Sequence, residues 1–459
     1  MSQAHAVISP ATGEQIAEVP RTSAEDTDAA IQRAHEAFLS WRQVAPGERA
    51  RLLRAFAAVV DAHVEELAEL EVRNAGHTIS NARGEARNVR DCLNYYAGAP
   101  ERLVGKQIPV PGGTDLTFHE PLGVVGVIVP WNFPMPIAGW GFAPALAAGC
   151  TVVLKPAELT PLTALRIGEL AVEAGLPEGV LTVVPGQGSV VGDRFVTHPL
   201  VRKVVFTGST EVGRGVMRGC ADQVKAVTLE LGGKSANIIF GDSDIGAAAA
   251  AAPYAVFDNA GQDCCARSRI LVQRSAYDEF VGRLETAVKQ LRVADPADES
   301  TEMGPLVSAA HRDSVQAYID SASVAFTGSA PSGNGFWVPP TVVESRSTDE
   351  DVWREEVFGP VVAVMPFDDE DEAVQLANDT EYGLSGSIFT NDVGRALRVA
   401  RRVEAGNLSV NSHASVRYWT PFGGYKQSGL GRELGPEAPY AFMEEKNVFV
   451  AHDLWSAGD

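Results

Sequence analysis

The chain has little of what several large protein classes require. Only five cysteines (Cys92, Cys150, Cys220, Cys264 and Cys265) are spread over 459 residues. So odd and sparse a set builds no disulfide framework. No Cys-x-x-Cys pair or histidine cluster has zinc spacing, so no metal is expected. Positive charge is scarce: 38 Lys and Arg face 59 Asp and Glu, a formal net charge of −21. A surface this acidic repels phosphate backbones and anionic lipid, which argues against nucleic acid and membrane surfaces as partners. Long apolar runs are missing too. The stretch Val124–Val129 is too short to span a bilayer. The start, Met1-Ser-Gln-Ala-His-Ala-Val7, shows no basic region followed by an apolar one. Internal repeats and low-complexity tracts are also lacking. A reducing, cytoplasmic setting is the expectation.

What is present is an ordinary globular composition, 45% hydrophobic, in a chain too long for one compact core. Asp26–Trp41, Pro46–Ala75 and Ala82–Ala97 carry Ala-rich patterns of helical period. The pattern then changes. Short apolar runs at 123–129, 151–154, 180–184 and 203–206 alternate with helical segments at 138–148, 160–174 and 189–197. Strands alternating with helices imply parallel βαβ units. The alternation restarts after Gly233, with strands at 236–240, 269–273, 361–366 and 385–390 and helices between and after them. The segment Gly105–Glu120 is polar and turns at Pro111-Gly-Gly113, which predicts a projecting hairpin. Residues 445–451 read as a final strand.

Phosphate-binding signals are incomplete when taken singly. Gly186-Gln-Gly188-Ser-Val-Val-Gly192 misses the dinucleotide fingerprint by one residue, and alone it reads as a strand–helix turn. Gly208-Ser-Thr-Glu-Val-Gly213 lacks the Lys-Ser/Thr of a triphosphate loop. The run Phe206-Thr-Gly208-Ser209-Thr follows a strand and opens a helix, where free amides and the dipole suit a pyrophosphate. Lys155-Pro-Ala-Glu158 ends another strand, and its Lys and Glu could both reach ribose hydroxyls or simply be solvated.

Three further segments supply the parts of covalent catalysis at a carbonyl. Asn259-Ala-Gly-Gln-Asp-Cys264-Cys265-Ala-Arg-Ser-Arg269 offers a thiol nucleophile, Val227-Thr-Leu-Glu230-Leu-Gly-Gly-Lys-Ser235 a carboxylate base, and Pro130-Trp-Asn132-Phe-Pro134 an amide donor for an oxyanion. Each has a plainer reading: a small buried hydrophobe, a surface Glu, and a turn residue between prolines.

These segments, in this order, together with Phe422-Gly-Gly-Tyr-Lys-Gln-Ser-Gly-Leu-Gly-Arg-Glu433, resemble the NAD(P)-dependent aldehyde dehydrogenase superfamily over nearly the whole chain. The resemblance implies an α/β fold: a Rossmann-like cofactor domain (1–103 and 122–232), an α/β catalytic domain (233–432), and a small β oligomerisation element (104–121 and 433–459). It implies Cys264 as nucleophile, Glu230 as the base for the hydrolytic water, and Asn132 as oxyanion donor beside the backbone N–H of Cys264. It makes Cys265 a spectator. For the cofactor it implies Lys155 and Glu158 on the adenosine ribose, Ser209 with Gly208 at the pyrophosphate, Trp131 and Leu231 alongside, Glu356 on the nicotinamide ribose and Phe358 against the ring. A carboxylate at Glu158 bonds a free 2′-hydroxyl and repels a 2′-phosphate, so NAD is preferred, with NADP the alternative. Phe133, Trp140 and Phe422 are expected to line a substrate tunnel, with Trp419 nearby.

Aromatic walls suit an apolar chain or, by cation–π attraction, an amine. Asp258 and Asp263 flank the nucleophile segment, as in the branch resembling aminobutyraldehyde and γ-glutamyl-aminobutyraldehyde dehydrogenases. An ω-aminoaldehyde or its γ-glutamyl derivative is therefore the preferred substrate. Arg267 and Arg417 argue for an anionic one, and a general medium-chain aldehyde is the third choice. Rival functions are a CoA-acylating semialdehyde dehydrogenase, which Glu230 argues against, and a catalytically silent homologue. A homodimer or homotetramer is expected.

Overall fold

The computed structural model describes residues 4–452. Residues 1–3 of the first expected domain and 453–459 of the expected oligomerisation tail lie outside that range. Two parallel-rich sheets dominate. The first has six strands in the order Gly429–Leu430, Ala226–Glu230, Val201–Thr207, Val124–Ile128, Thr151–Lys155 and Leu181–Val183. Every neighbouring pair is parallel except the short Gly429–Leu430 edge. Val124–Ile128 and Thr151–Lys155 are buried along their whole length, as expected of strands covered on both faces. The chain runs outward from Val124–Ile128 to one edge, then returns at Val201–Thr207 on its other side. The order therefore reverses between these two strands, and a crevice opens beyond their carboxyl ends.

The second sheet has seven strands, ordered Val324–Thr327, Thr341–Glu344, Val361–Phe367, Arg269–Gln273, Ala236–Ile239, Ser385–Phe389 and Asn407–Val410. Only its outermost Val324–Thr327 pairing is antiparallel. A third sheet joins Gln107–Val110, Gly113–Pro121 and Met443–Ala451, so the anticipated hairpin and tail strand meet. Among the described residues no helix is long and apolar enough to cross a membrane.

Several elements differ from their sequence-based bounds. The single helix expected over 46–75 is two, Pro46–Ala62 and Val64–Ala75, because His63 leaves helical geometry (φ −114°, ψ 16°) and its ring Nδ1 lies 2.7 Å from the Val59 carbonyl oxygen. The helix expected from Ala138 begins at Pro134, since proline in a first turn gives up an N–H that had no partner to lose. The N-terminal hairpin Ala4–Ile8 with Gln15–Pro20 was not foreseen, nor was the helix Ala309–Ser321. Gly429–Leu430 falls within the expected catalytic stretch yet adds an edge strand to the six-stranded sheet.

Candidate active site

Four carboxyl ends of the six-stranded sheet deliver most of the nominated residues. Val124–Ile128 leads into Trp131 and Asn132, Val201–Thr207 into Gly208 and Ser209, Ala226–Glu230 ends on Glu230, and Thr151–Lys155 ends on Lys155. Ser209 caps the helix Thr210–Ala221, its hydroxyl accepting from the Val212 N–H at 3.4 Å. That helix start leaves backbone donors facing the crevice.

Cys264 arrives from the opposite sheet on a strained turn. Asn259, Ala260 and Gly261 all have positive φ (49°, 54° and 74°). Such a run persists only where its surroundings over-determine it. Gln262 does much of this, donating from Nε2 to the Asn259 carbonyl at 3.0 Å and accepting from the Val307 N–H at 2.8 Å. Gly261 is required as glycine: a Cβ there would lie 2.0 Å from the Gly359 carbonyl oxygen. Asn132 joins the same turn. Its Nδ2 donates to the Gln262 carbonyl at 3.0 Å, and Asn259 Nδ2 donates back to the Asn132 carbonyl at 2.9 Å.

Cys264 lies on the wall of two cavities at once. One, of about 240 Å³, is lined by Trp131, Asn132, Thr207, Gly208, Ser209, Glu230, Leu231, Glu356 and Phe358 together with Cys264. The other, of about 380 Å³, is lined by Phe133, Trp140, Phe422, Glu85, Asn88, Asp258 and Asp263 as well as Cys264 and Cys265. The structure thus gathers the three candidate catalytic residues and six of the candidate cofactor residues at the first cavity, and three of the four tunnel aromatics at the second. Trp419 stays outside. It is 49% exposed and packs edge-on against Tyr418 at 4.5 Å, so its ring is spent on the surface. Lys155 and Glu158 lie beyond both linings. Lys155 is buried behind Gly192, which lines a third cavity of about 430 Å³ that Lys155 itself does not line. Its ammonium donates to the Pro156 carbonyl at 2.9 Å, and burial lowers its pKa to about 8, with Glu158 pulling upward. Glu158 is not a lone carboxylate: Arg21 Nε donates to it at 2.8 Å. The charge meant to repel a 2′-phosphate is therefore already offset.

Electrostatics favour the protonated forms of Cys264 and Glu230. A side-chain hydrogen bond with Cys265 and then burial hold the Cys264 thiol well above the usual thiol range, with Asp263 and Glu356 adding to the effect. Burial raises Glu230 well above the carboxylate range, and the neighbouring Glu433 raises it further while Arg432 opposes. Among the described residues, neither oxygen of Glu230 or Glu433 has a hydrogen-bonding partner. Burial lifts Glu433 to about 7. Glu356 is also pushed to about 7 by burial, although the Gly233 N–H donates to it at 2.7 Å.

Other residues of the site escaped the sequence reading. Thr207 presents a buried hydroxyl with no partner among the described residues at the first cavity; its signal was its place in the quoted Phe206-Thr-Gly run. Asn88 accepts from the Trp140 indole N–H at 2.9 Å, and Glu85 sits one turn earlier on the helix Ile79–Ala97. Their three-residue spacing on a helix was visible, but the face it lines was not. Arg267 is not at the mouth. It is 3% exposed, and its guanidinium donates to Ser387 Oγ, Ser415 Oγ and the His413 carbonyl at 3.0–3.1 Å and to the Cys265 carbonyl. Arg417 is exposed and lines neither cavity. The case for an anionic substrate loses both its residues.

The crevice fits a dinucleotide. It lies where the strand order reverses, its middle carries a helix start, and Thr207, whose buried hydroxyl has no partner among the described residues, lines its inner cavity. The third cavity has Gly188, Gly192, Gly215 and Gly219 in a mostly apolar wall.

Comparison with known proteins agrees. The model of the aldehyde dehydrogenase family matches residues 1–448. A phenylacetaldehyde dehydrogenase from Pseudomonas fluorescens is 43% identical, over 97% of this chain and 92% of its own. Betaine aldehyde dehydrogenase 1 from Oryza sativa subsp. japonica is 40% identical, over 96% and 91%. Among solved structures, a betaine aldehyde dehydrogenase from Staphylococcus aureus in complex with NAD+ superimposes with a TM-score of 0.96 at 39% identity, covering 99% of this chain and 93% of that one.

Proposed function

Because this chain belongs to the aldehyde dehydrogenase family and is an NAD-dependent oxidoreductase acting on aldehydes through a catalytic cysteine, we propose that Cys264 is that cysteine, Asn132 its oxyanion donor and Glu230 the base that completes turnover. The observation that carries this reading is the position of Cys264 on the shared wall of two cavities. One holds Asn132 and Glu230 and suits a cofactor, and the other is aromatic and suits a substrate.

The chemistry follows from the residues. Cys264 reacts as its thiolate, so its proton leaves through the open cavity before sulfur bonds the aldehyde carbon. The resulting alkoxide accepts from Asn132 Nδ2 and from the backbone N–H of Cys264. When bound, NAD supplies the acceptor for the hydride that this adduct loses as it becomes a thioester. Glu230 then takes a proton from water, the hydroxide adds to the thioester carbon, and the acid departs as the thiolate returns. Glu230 must be ionised to do so, and its raised pKa makes this limb faster as pH rises. Within this reading Lys155, Glu158, Ser209, Gly208, Trp131, Leu231, Glu356 and Phe358 hold the cofactor. The segments 1–103 and 122–232 bind it, 233–432 carry catalysis, and 104–121 with 433–459 join subunits into a homodimer or homotetramer. Exposed Ile108, Phe118, Phe449 and Val450 on the three-stranded sheet support that last role. Five free cysteines suit a reducing cytoplasm.

The substrate we propose is an ω-aminoaldehyde, which is a cation, or its γ-glutamyl derivative, a zwitterion whose α-ammonium supplies the positive charge. Its support is a cavity that places Asp258 and Asp263 among Phe133, Trp140 and Phe422, with Glu85 on the same wall already paired to His77 at 2.7 Å, and the withdrawal of Arg267 from the wall. A relative named for betaine aldehyde, itself cationic, points the same way. The apolar share of the wall favours plain medium-chain aldehydes as the second reading. A panel of 4-aminobutanal, its γ-glutamyl derivative, betaine aldehyde, succinate semialdehyde and hexanal separates them by kcat/KM. At least a tenfold lead of the cationic members supports the proposal, and a lead of hexanal or of the anion refutes it.

A further inference from the structure

We infer that His311, on a helix the sequence did not disclose, is a positioning residue for the cofactor wall: it holds Phe358 in a backbone conformation that the residue would not keep by itself. This rests on the reading of the Trp131–Phe358 cavity as the cofactor's inner end. Phe358 has φ 55°, a left-handed value that a bulky L-residue adopts only when tethered. The tether is visible. His311 Nε2 lies 2.8 Å from the Phe358 carbonyl oxygen. A carbonyl can only accept, so the imidazole carries its proton on Nε2 and donates.

The surroundings fix this geometry from both sides. Ser308 caps the helix Ala309–Ser321, accepting from the His311 N–H at 3.2 Å, so the imidazole starts from a defined backbone position. Val315, one turn further on the same face, occupies the space beside Gly359, where a Cβ would lie 2.6 Å from its methyl carbon. The pair Phe358-Gly359 is thereby pinned to one helix face, its carbonyl by His311 and its α-carbon by Val315. The rings interlock as well. Trp131 stands edge-on to His311 at 5.1 Å and to Phe358 at 5.3 Å, and both Trp131 and Phe358 line the cavity that Cys264 also lines. The segment just before this helix also steadies the nucleophile turn, through the Val307 N–H to Gln262 and the contact of Gln262 with the Pro305 carbonyl. One short stretch, 305–311, therefore braces the cofactor wall and the nucleophile turn together.

Removing the imidazole should release Phe358 toward an ordinary conformation and loosen the cavity for cofactor, while Cys264 keeps its own supports. The test is calorimetric titration of the full-length protein with NAD, for the unaltered chain, His311→Ala and His311→Gln. The helix cap uses the backbone N–H, so both variants keep it. His311→Ala is expected to raise the Kd for NAD about tenfold, the worth of one ordinary hydrogen bond. His311→Gln, whose amide can still donate, should stay within about threefold of the unaltered chain. The alkylation rate of Cys264 by iodoacetamide and the thermal midpoint should be unchanged in both. Unaltered affinity in His311→Ala would overturn the inference alone, as would equal losses in the two variants. Failure of the unaltered chain to bind NAD would overturn the cofactor reading and this inference together.

Discussion

Replacing Glu230 by glutamine should separate the two halves of the reaction. The side chain is 3% exposed, and neither carboxyl oxygen has a partner among the described residues. Burial and Glu433 favour its protonated form. Glutamine is nearly isosteric with that neutral acid, so the fold should tolerate it, with a thermal midpoint equal to or above the parent's at pH 8. What is lost is the capacity to take a proton from water. General-base removal typically costs about 10²–10⁴-fold, and all of it should fall on deacylation. In stopped flow, NADH should appear in a burst equal to the active-site concentration at the parental rate, followed by a steady state at least about 100-fold slower. Because Glu230 must ionise first and its pKa is raised, the parent's steady-state rate should climb with pH above the ordinary carboxylate range, whereas the variant's should be nearly flat. A variant without the burst would place Glu230 in the first half-reaction. An unchanged steady state would remove it from the mechanism.

Asn132→Ala should lower kcat by about 10²–10³-fold, the usual cost of one oxyanion donor, with the Kd for NAD unchanged by calorimetry; a KM effect alone would refute the assigned role. Glu433→Gln should flatten the pH dependence of stability. Its pKa is raised from 4.5 to about 7 in the native state, so its contribution is fully present below about pH 4.5 and is lost as pH rises through 7, by roughly 3 kcal/mol. Urea unfolding at pH 5 to 8 should show the parent losing that much relative to the variant, and parallel curves would contradict it. Gly261→Ala combines φ +74° with a Cβ set 2.0 Å from the Gly359 carbonyl oxygen, a backbone clash that no side chain can relieve. A loss of roughly 3 kcal/mol or more is expected in chemical unfolding, and a near-parental midpoint would show that the turn can relax.

The parts of the site set by short motifs were legible in the chain. Asn132, Glu230 and Ser209 sit at strand ends, and a strand followed by a helix start announces such positions. Cys264 was marked by its Gly-Gln context, though nothing local foretold three successive left-handed residues, since Asn259 and Ala260 carry no glycine signal. Residues that act across long sequence gaps were not legible. Glu433 meets Glu230, Arg21 reaches Glu158 over 137 positions, and His311 reaches Phe358 over 47. Only the fold brings these pairs together. Trp419 shows the converse. An aromatic beside a tunnel segment looked like lining, but it packs edge-on against Tyr418 at the surface. Arg267 was similarly misplaced, because four internal acceptors outweigh solvent for a guanidinium that the chain has already turned inward. The helix Ala309–Ser321 went unseen since its polar outer face carries a weak apolar stripe, with Val315 its only fully buried residue.

In the proposed mechanism oxidation proceeds through a thioester on Cys264. Mass spectrometry of the Glu230→Gln protein, quenched in acid during turnover with 4-aminobutanal or hexanal and NAD, tests it directly. One acyl group per chain is expected, in a peptide containing Cys264, formed in the presence of Cys265→Ala and abolished by Cys264→Ala. An acyl group that survives Cys264→Ala, or NADH formed with no acylated peptide at all, would contradict it.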